Sequence, residues 1–321
     1  MKLEKFSDDV TIHFKENGIE YLKFRALEKY NDKIEHLITL RHGGKSEFPV
    51  DTLNFRTIGN DKKENVIYNL EKTLKNMSID KNNVYIASQH HTDDVLVLDS
   101  SNKEKYQFEN YNGEFYDAYV TDQKNIATLV RTADCNPIIV YDTKNNVYAN
   151  IHSGWKGTIK RVYIRAIEKL QENYGSNLED LIVCIGPSIR KCCFSSEEEE
   201  FLEKFKEVFD EKMDYVQYEE NGKRFHIDLI KIITTDLINF GIKKENINVA
   251  NICTCCNHED FFSFRYATME KYDDYGLMAT LVNLKWYIRE NCRKIYWKKF
   301  IKCSKMSVIL LGGRKWKTKE E

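Results

Sequence analysis

The order of apolar and polar positions predicts buried strands in the middle of the chain. Two continuous apolar runs, 126–130 and 137–141, are separated by a polar corner, and a third run, 147–151, follows a short polar turn. Short apolar runs of this kind are typical of strands buried on both faces, and a tight turn between two of them predicts a hairpin. We expect this hairpin to bring Cys135 and His152, which lie at its open end, side by side.

The rest of the chain predicts strands interleaved with helices. Apolar residues spaced three and four apart indicate amphipathic helices at 61–77 and 158–174, and further helices are expected within 197–208 and 225–240. Shorter strands are predicted at 10–14, 19–24, 34–40, 84–87, 95–98 and 181–185. This alternation fits packed mixed sheets with helices outside, and it fits an ordinary α/β arrangement equally well.

Composition and charge narrow the class of protein. The 321 residues are 42% apolar, which is enough for a sizeable core in one large domain or two ordinary ones. A formal net charge of -1 gives the chain no general attraction to nucleic acid. The first residues lack the apolar stretch of a secretory signal, and no apolar run approaches the ~20 residues of a spanning helix. We therefore expect a soluble, cytoplasmic protein without a membrane partner.

Cysteine and histidine supply the candidate chemistry. The strand predicted at 84–87 leads to His91, so three strand ends offer His91, Cys135 and His152. Each residue alone would be explained as part of a core. Together, two imidazoles and a thiolate form a catalytic zinc set with a fourth position open. Asp134 is a candidate carboxylate for proton transfer. A metal-free alternative makes Cys135 a nucleophile and His152 its base, as in thiol hydrolases.

The chain has nine cysteines, an odd number, at irregular spacing. We therefore expect reduced thiols rather than a disulfide framework. A second cysteine-rich stretch invites a structural zinc interpretation, in which the adjacent cysteines 192–193 would take part. It contains Cys253, Cys255, Cys256 and His258. Its C-x-C-C-x-H pattern differs from the paired knuckles of ordinary zinc modules. We therefore interpret these thiols as small buried residues.

Several short motifs, taken together and in order, resemble those of the YfiH/laccase-domain family, also called the peptidoglycan editing factor or purine nucleoside phosphorylase family. Gln89-His90-His91 is similar to its Q-x-H step, and the register of that step selects His91 over His90. The A-D-C-x-P step stands at 133–137 and the H-x-G-W-[RK]-G step at 152–157. Weaker matches stand at 41–46, 49–54, 186–189, 193–194, 253–254 and 261–265.

The resemblance implies a fold, an activity and a ligand set. The implied fold is α+β, with mixed β-sheets packed together and flanking helices. The implied activities are phosphorolysis of adenosine, inosine, guanosine and 5′-methylthioadenosine, and zinc-dependent deamination of adenosine. The metal ligands would be His91, Cys135 and His152, with zinc expected and copper a weaker possibility. An alternative substrate is UDP-MurNAc-L-Ser, cleaved by a peptidoglycan-precursor editing amidase.

Candidate substrate-binding residues follow from the same resemblance. Arg41, with the amides of Gly43 and Gly44, is expected to bind phosphate, although the two glycines alone would indicate only a turn. Lys156, near the start of the helix after His152, and Arg265 complete the set. The expected partners are thus a purine nucleoside and phosphate, with no nucleic acid.

The resemblance spans about residues 35–285, so we expect one catalytic domain at 1–285 and a separate tail at 286–321. The tail is basic and aromatic. We interpret it as a solvated helix with a frayed end, and its alternative role as a partner-binding arm would make the protein non-enzymatic.

Overall fold

Two large sheets and one small sheet carry most of the regular structure. The computed structural model describes residues 1–77, 79–108, 113–210, 212, 214–220 and 222–286. The strands are β1 (Lys2–Leu3), β2 (Thr11–Glu16), β3 (Ile19–Phe24), β4 (Ile34–Thr39), β5 (Val84–Tyr85), β6 (Val95–Val97), β7 (Ala118–Thr121), β8 (Ala127–Thr132), β9 (Asn136–Asp142), β10 (Val147–Ser153), β11 (Leu181–Ile185), β12 (Ser195–Ser196), β13 (Val216–Tyr218), β14 (Phe225–Ile227), β15 (Ile247–Val249) and β16 (Met278–Leu284). The helices are α1 (Arg25–Glu28), α2 (Lys63–Leu74), α3 (Trp155–Ile159), α4 (Val162–Tyr174), α5 (Glu199–Lys206), α6 (Leu229–Phe240) and α7 (Phe264–Met269).

The sheets mix parallel and antiparallel pairs. The seven-stranded sheet has the order β1-β2-β3-β4-β16-β8-β5, and the six-stranded sheet has the order β15-β11-β9-β10-β7-β6. The small sheet has the order β12-β14-β13. Strand pairs β5/β8, β6/β7 and β11/β15 are parallel, whereas the central pairs are antiparallel. The prediction of an α+β fold with packed mixed sheets and flanking helices is confirmed.

Successive apolar side chains point to opposite faces of the two large sheets, and this arrangement builds four layers. On β9, Ile138 and Val140 pack in one core with α4 and α6, whereas Ile139 and Tyr141 pack in another core with the seven-stranded sheet. On β16, Val282 belongs to that inter-sheet core, and Leu281 packs with α2 on the far side. Because successive side chains point to opposite faces, both faces of each sheet are apolar and covered. The order of layers is α2, seven-stranded sheet, six-stranded sheet, and α4 with α6.

Polar side chains of β10 link the two large sheets. The Tyr148 hydroxyl donates to the carbonyl of Val282 at 2.9 Å. The Asn150 amide donates to the carbonyls of Thr128 and Thr280, both at 3.1 Å. Buried polar groups need such partners, and these bonds form at one relative position of the sheets. They fix the position of β10, and therefore of His152 at its end, relative to the seven-stranded sheet.

The helix predicted at 158–174 is divided in the structure, and this part of the prediction is wrong. The short α3 precedes α4, and Arg161 between them has φ 58°, in the left-handed region. A left-handed residue breaks the helical hydrogen-bond series and costs about 1–2 kcal/mol. Contacts of the Arg161 guanidinium offset that cost, because it pairs with Asp236 at 2.9 Å and lies over the Phe209 ring.

Residues 1–285 form one unit by their internal contacts. Apart from Trp286, the predicted tail at 286–321 lies outside the described residues. Among the helices that the structure describes, none combines the length and the apolar character required to cross a membrane.

Candidate active site

His91, Cys135 and His152 meet at the edge where the two large sheets adjoin. Cys135 stands between β8 and β9, which belong to different sheets, and the hairpin places Pro137 opposite His152. The ligand atoms of all three residues lie within 4.8 Å of one another, and Cys135 Sγ is 3.6 Å from His91 Nε2. The adjacent His90 instead packs against Phe115, with ring centroids 4.1 Å apart.

Asp117 is a central residue of the site that the sequence analysis missed. It is fully buried and immediately precedes β7, which pairs with β10. Its Oδ1 accepts a 2.6 Å hydrogen bond from Nδ1 of His152. This bond fixes the orientation of the imidazole and leaves Nε2 as the nitrogen available for a metal or for proton transfer. The one signal of this role in the sequence was a single acidic residue directly before an apolar strand.

The same carboxylate holds the loop that carries His91. It accepts hydrogen bonds from the backbone amides of His90, His91 and Thr92, at 3.2, 3.1 and 2.6 Å, and from the Thr92 hydroxyl at 2.9 Å. His91 has φ 59°, which is uncommon for a residue other than glycine. Asp117 therefore positions both histidines, one through its ring and the other through its backbone.

The charges of the site favour a thiolate beside an imidazolium. Burial raises the pKa of the Cys135 thiol, but the neighbouring His152 and His91 outweigh burial and bring the pKa down to about 6. Burial lowers the pKa of His152, whereas Cys135 and Asp117 raise it to about 9. Burial also raises the pKa of Asp117, and its hydrogen bonds, led by that from His152, bring it down to about 2. Near neutral pH, Cys135 is thus a ready nucleophile or metal ligand.

Gly154 makes room for the cluster. A Cβ atom at this position would lie 2.4 Å from His91 Cδ2 and 2.9 Å from Cys135 Sγ. Its backbone, with φ −74°, is available to any residue, so close approach rather than conformation requires glycine here. The H-x-G-W motif therefore contains one ligand candidate and the space that the other two occupy.

Asp134 precedes Cys135 but has both carboxylate oxygens engaged. Oδ1 accepts from the Thr254 hydroxyl at 2.6 Å, and Oδ2 accepts from the backbone amide of Arg265 at 2.7 Å. Burial raises its pKa above the ordinary value, against the opposing effect of these bonds. Its φ of 90° lies in the left-handed region. These contacts fix the turn that presents Cys135.

The cluster lines a cavity of about 720 Å³. This volume falls in the range of about 300–1,000 Å³ that is usual for small-molecule sites. The basic side chains in its wall are Lys156, Arg265, Arg56 and Arg131. Aromatic surface comes from Trp155, Phe194, Phe201, Phe264 and Tyr275. The cavity therefore offers positive charge for an anion and flat apolar surface for a ring system.

Two of the predicted substrate-binding residues lie in this wall. Arg265 donates one guanidinium hydrogen bond to the carbonyl of Ser195 at 3.2 Å. Exposed Lys156 places its ammonium group 5.4 Å from the centre of the Trp155 ring. Arg56, by contrast, pairs with Asp274.

Arg41, Gly43 and Gly44 are placed elsewhere. Arg41 lines a second cavity of about 340 Å³, where its guanidinium donates to the carbonyls of Asp51 and His258 at 2.9 and 2.7 Å. The amides of Gly43 and Gly44 both donate to the Thr52 hydroxyl, at 2.9 and 3.2 Å. The structure does not bring these three residues to the cavity that contains Cys135.

The donor set at Cys135 fits Zn²⁺. Two imidazole nitrogens and one thiolate are ligands that zinc prefers, and three protein ligands are typical of catalytic zinc. The His152–Asp117 hydrogen bond is the outer contact usually found behind a metal-bound histidine. The fit to zinc is therefore seen in the three candidate ligands and in Asp117, which is bonded to one of them.

Comparison with known proteins gives matches over most of the chain. The model of a family described as multi-copper polyphenol oxidoreductase laccase matches residues 35–285. A purine nucleoside phosphorylase of Bacteroides thetaiotaomicron is 32% identical over 247 residues, which cover 76% of this chain and 90% of that protein. An adenosine deaminase from an unknown prokaryotic organism is 30% identical over 190 residues, which cover 59% and 72%.

Solved structures agree in fold. The crystal structure of YlmD from Geobacillus stearothermophilus superposes with a TM-score of 0.77 at 21% identity, covering 87% of this chain and 100% of that one. The Bacillus licheniformis hypothetical protein YfiH gives a TM-score of 0.75 at 23% identity, covering 88% and 98%.

Proposed function

Because the chain belongs to the multi-copper polyphenol oxidoreductase laccase family, we propose that it is an enzyme of purine nucleoside metabolism. It cleaves adenosine, inosine, guanosine and 5′-methylthioadenosine with phosphate, and it deaminates adenosine with water. The observation that carries the proposal is the group of His91, Cys135 and His152 in the wall of the large cavity. The names of the relatives, a purine nucleoside phosphorylase from Bacteroides thetaiotaomicron and an adenosine deaminase from an unknown prokaryote, support the substrate class.

Zinc is the proposed cofactor, held by His91, Cys135 and His152. When bound, Zn²⁺ supplies Lewis acidity that makes water a nucleophile near neutral pH. Asp117 keeps the proton of His152 on Nδ1 and directs Nε2 toward the cluster. The buried position of His152 and of Asp117 keeps bulk water from these groups.

The wall of the cavity supplies binding and orientation. Arg265 and Lys156 provide donors for phosphate, whose oxygens match a guanidinium fork and an ammonium group. Aromatic side chains such as Phe264 and Trp155 offer faces on which a purine stacks. Holding nucleoside and phosphate together lowers the entropic part of the barrier to their reaction.

The multi-copper description of the family does not fit the residues found here. Multicopper chemistry needs several copper sites built mainly from histidines. Among the described residues, the one group of possible metal ligands that contains histidines is His91, Cys135 and His152. We therefore derive no oxidative step.

A second candidate function is metal-free hydrolysis by a Cys-His-Asp arrangement. The observation that favours it is the order Asp117, His152, Cys135, together with a Cys135 pKa of about 6. In such an enzyme the thiolate attacks a carbonyl, and the imidazolium protonates the leaving group. The two candidates use the same residues and differ in their response to chelation.

An assay with adenosine separates these possibilities. Zinc-loaded protein is incubated with adenosine, with and without phosphate, and inosine, adenine and hypoxanthine are quantified. We expect inosine in both mixtures and free base only with phosphate. Cys135→Ala should abolish both activities, and Cys184→Ala, which removes a buried thiol in β11, should retain them.

Chelation completes the experiment. Loss of activity on chelation and its return with Zn²⁺ support the zinc enzyme, whereas activity that survives chelation but not iodoacetamide supports the thiol hydrolase. No turnover of any nucleoside by the zinc-loaded chain overturns the proposal. Cleavage of UDP-MurNAc-L-Ser by that same preparation would then make the precursor-editing amidase the function.

A further inference from the structure

A second cluster of thiols lies apart from Cys135. Cys192 and Cys193 come from the turn before β12, and Cys253 and Cys256 come from the turn after β15. All four sulfur atoms lie within 4.8 Å of one another. The Sγ of Cys256 is 3.5 Å from that of Cys192 and 3.4 Å from that of Cys193. Two segments about sixty positions apart in sequence thus converge on one point.

These distances suit a shared metal ion. Zinc–sulfur bonds of about 2.3 Å in a tetrahedron place the sulfur atoms roughly 3.8 Å apart. A disulfide bond instead holds two sulfur atoms at about 2.05 Å. Four separate sulfurs within 4.8 Å therefore form a cage that one tetrahedral ion fills with small adjustments.

A buried positive charge lies next to the cage. Arg190 precedes the first pair of cysteines, and its carbonyl accepts the amide of Cys193 at 2.9 Å. Nε and NH1 of Arg190 are buried and have no hydrogen-bond partner among the described residues. Zn²⁺ with four thiolates carries a net charge of −2, which a neighbouring guanidinium stabilises.

We propose that Cys192, Cys193, Cys253 and Cys256 bind one structural Zn²⁺ ion. This site is distinct from the one at Cys135, and it does not depend on the proposed function. Four cysteine ligands leave no open position, which is the arrangement of zinc sites that stabilise a fold.

The site ties together two segments that support the active-site cavity. Ile189 donates its amide to the carbonyl of Asp134 at 2.8 Å, and Thr254 donates its hydroxyl to the carboxylate of Asp134 at 2.6 Å. Both contacts hold the turn before Cys135, and Ser195 just beyond the cage lines the cavity. Zinc at the second site would thus fix part of the cavity wall and the turn that presents Cys135.

The interpretation of these thiols as small buried residues does not hold for Cys256, which is exposed, as is Cys192. Cys253 and Cys256 form a C-x2-C pair, which Cys255 between them obscures. Cys255 is buried with Ile189 and does not belong to the cage. His258 stacks on Tyr266, with ring centroids 3.5 Å apart, and is not a member of the cluster either.

Metal content of the 321-residue chain tests the proposal without an activity assay. Protein produced with added zinc is freed of loose metal by gel filtration, and zinc per chain is measured by mass spectrometry. The parent should hold about two zinc ions and Cys135→Ala about one, since structural sites retain their metal tightly. Adding Cys192→Ser and Cys256→Ser to Cys135→Ala should remove the last ion. Cys255→Ser, added in the same background, is the matched control and should retain it.

A second measurement covers a failure of the multiple variant to fold. Cys135→Ala alone is loaded with Co²⁺, which gives strong thiolate charge-transfer absorption when several cysteines bind it. Such absorption, displaced by Zn²⁺, is expected. A folded Cys135→Ala chain that holds neither zinc nor cobalt overturns the proposal. A disulfide between two of these four cysteines, found by peptide mass spectrometry under non-reducing conditions, also overturns it.

Discussion

Replacing Asp117 by Asn preserves the shape of the side chain and removes its charge. The carboxylate accepts hydrogen bonds at Oδ1 from His91 and His152, and at Oδ2 from His90 and from the amide and hydroxyl of Thr92. A carboxamide has one accepting oxygen and one donating NH2 group. In either orientation of the amide, its NH2 group therefore faces at least two of these donors.

The cost follows from these contacts. A hydrogen bond to a charged group contributes about 1.5–3 kcal/mol, so the loss of two predicts about 3–6 kcal/mol of destabilisation. The pKa of Asp117, about 2 in the folded chain, gives a second measure. A depression of nearly two units from the ordinary value of about 3.9 corresponds to roughly 2–3 kcal/mol. Because the folded pKa is the lower one, this stability is present above about pH 4 and is lost as the pH falls toward 2.

The substitution should also change the metal site. An Asn NH2 group opposite His152 favours the tautomer in which Nδ1 accepts and Nε2 carries the proton. A protonated Nε2 cannot bind zinc, and loss of such an outer contact typically lowers metal affinity 10–100-fold. We expect weaker zinc binding at this site together with lower stability.

Urea unfolding and competition with a chromophoric chelator measure the two effects. Asp142→Asn is the matched control, since this buried carboxylate accepts the amides of Lys144 and Asn145, both at 2.8 Å. It lies at the far end of β9, roughly 20 Å from Cys135 at about 3.3 Å per residue. The control should lose stability and keep its zinc affinity. Unchanged zinc affinity in Asp117→Asn, or equal losses in both variants, would refute the reasoning.

Three further predictions concern the same cavity. In the chelator-treated chain, alkylation of Cys135 by iodoacetamide, followed by peptide mass spectrometry, should rise through about pH 6; a midpoint near 9 contradicts the ion pair with His152. Gly154→Ala should lower zinc affinity at least about tenfold, because its Cβ displaces neighbouring ligands. The control is Gly175→Ala, since a Cβ at Gly175 would meet open space although the backbone φ is 65°. It should cost only about 1–2 kcal/mol of stability in urea and leave zinc binding intact. Arg265→Lys should raise the KM for phosphate roughly tenfold while leaving phosphate-independent deamination unchanged, and equal effects on both reactions would contradict its assignment to phosphate.

Local periodicity was sufficient to predict the hairpin and the pair at its open end. The runs at 137–141 and 147–151 are continuous because β9 and β10 are buried on both faces, and their separation by a short turn determines the pairing. The proximity of Cys135 and His152 follows from that pairing alone. His91 was named as the third candidate from the end of the strand predicted at 84–87, and the family resemblance selected it over His90. Its place beside the pair did not follow from the hairpin, since β5 pairs with β8.

Local patterns did not select the contacts between distant segments, although the zinc interpretation had named residues 192–193 beside the stretch at 253–258. Asp117 is 35 positions from His152, and they meet because β7 pairs with β10 in a sheet whose order does not follow the sequence. Cys192 and Cys256 are 64 positions apart and converge between turns. Arg161 adopts its left-handed conformation through a pairing with α6, which no local propensity encodes. In each case a tertiary partner determines the outcome.

The three-residue connection between β8 and β9 has a consequence for how the protein opens. Residues 133–135 join strands of different large sheets, and Tyr148 and Asn150 bond across the same interface. The two sheets therefore cannot slide apart without breaking the turn that carries Cys135. In native-state hydrogen exchange, the amides of β9 and β10 should therefore exchange only through global unfolding. Cys135 and His152 would therefore keep their relative places until the chain unfolds as a whole.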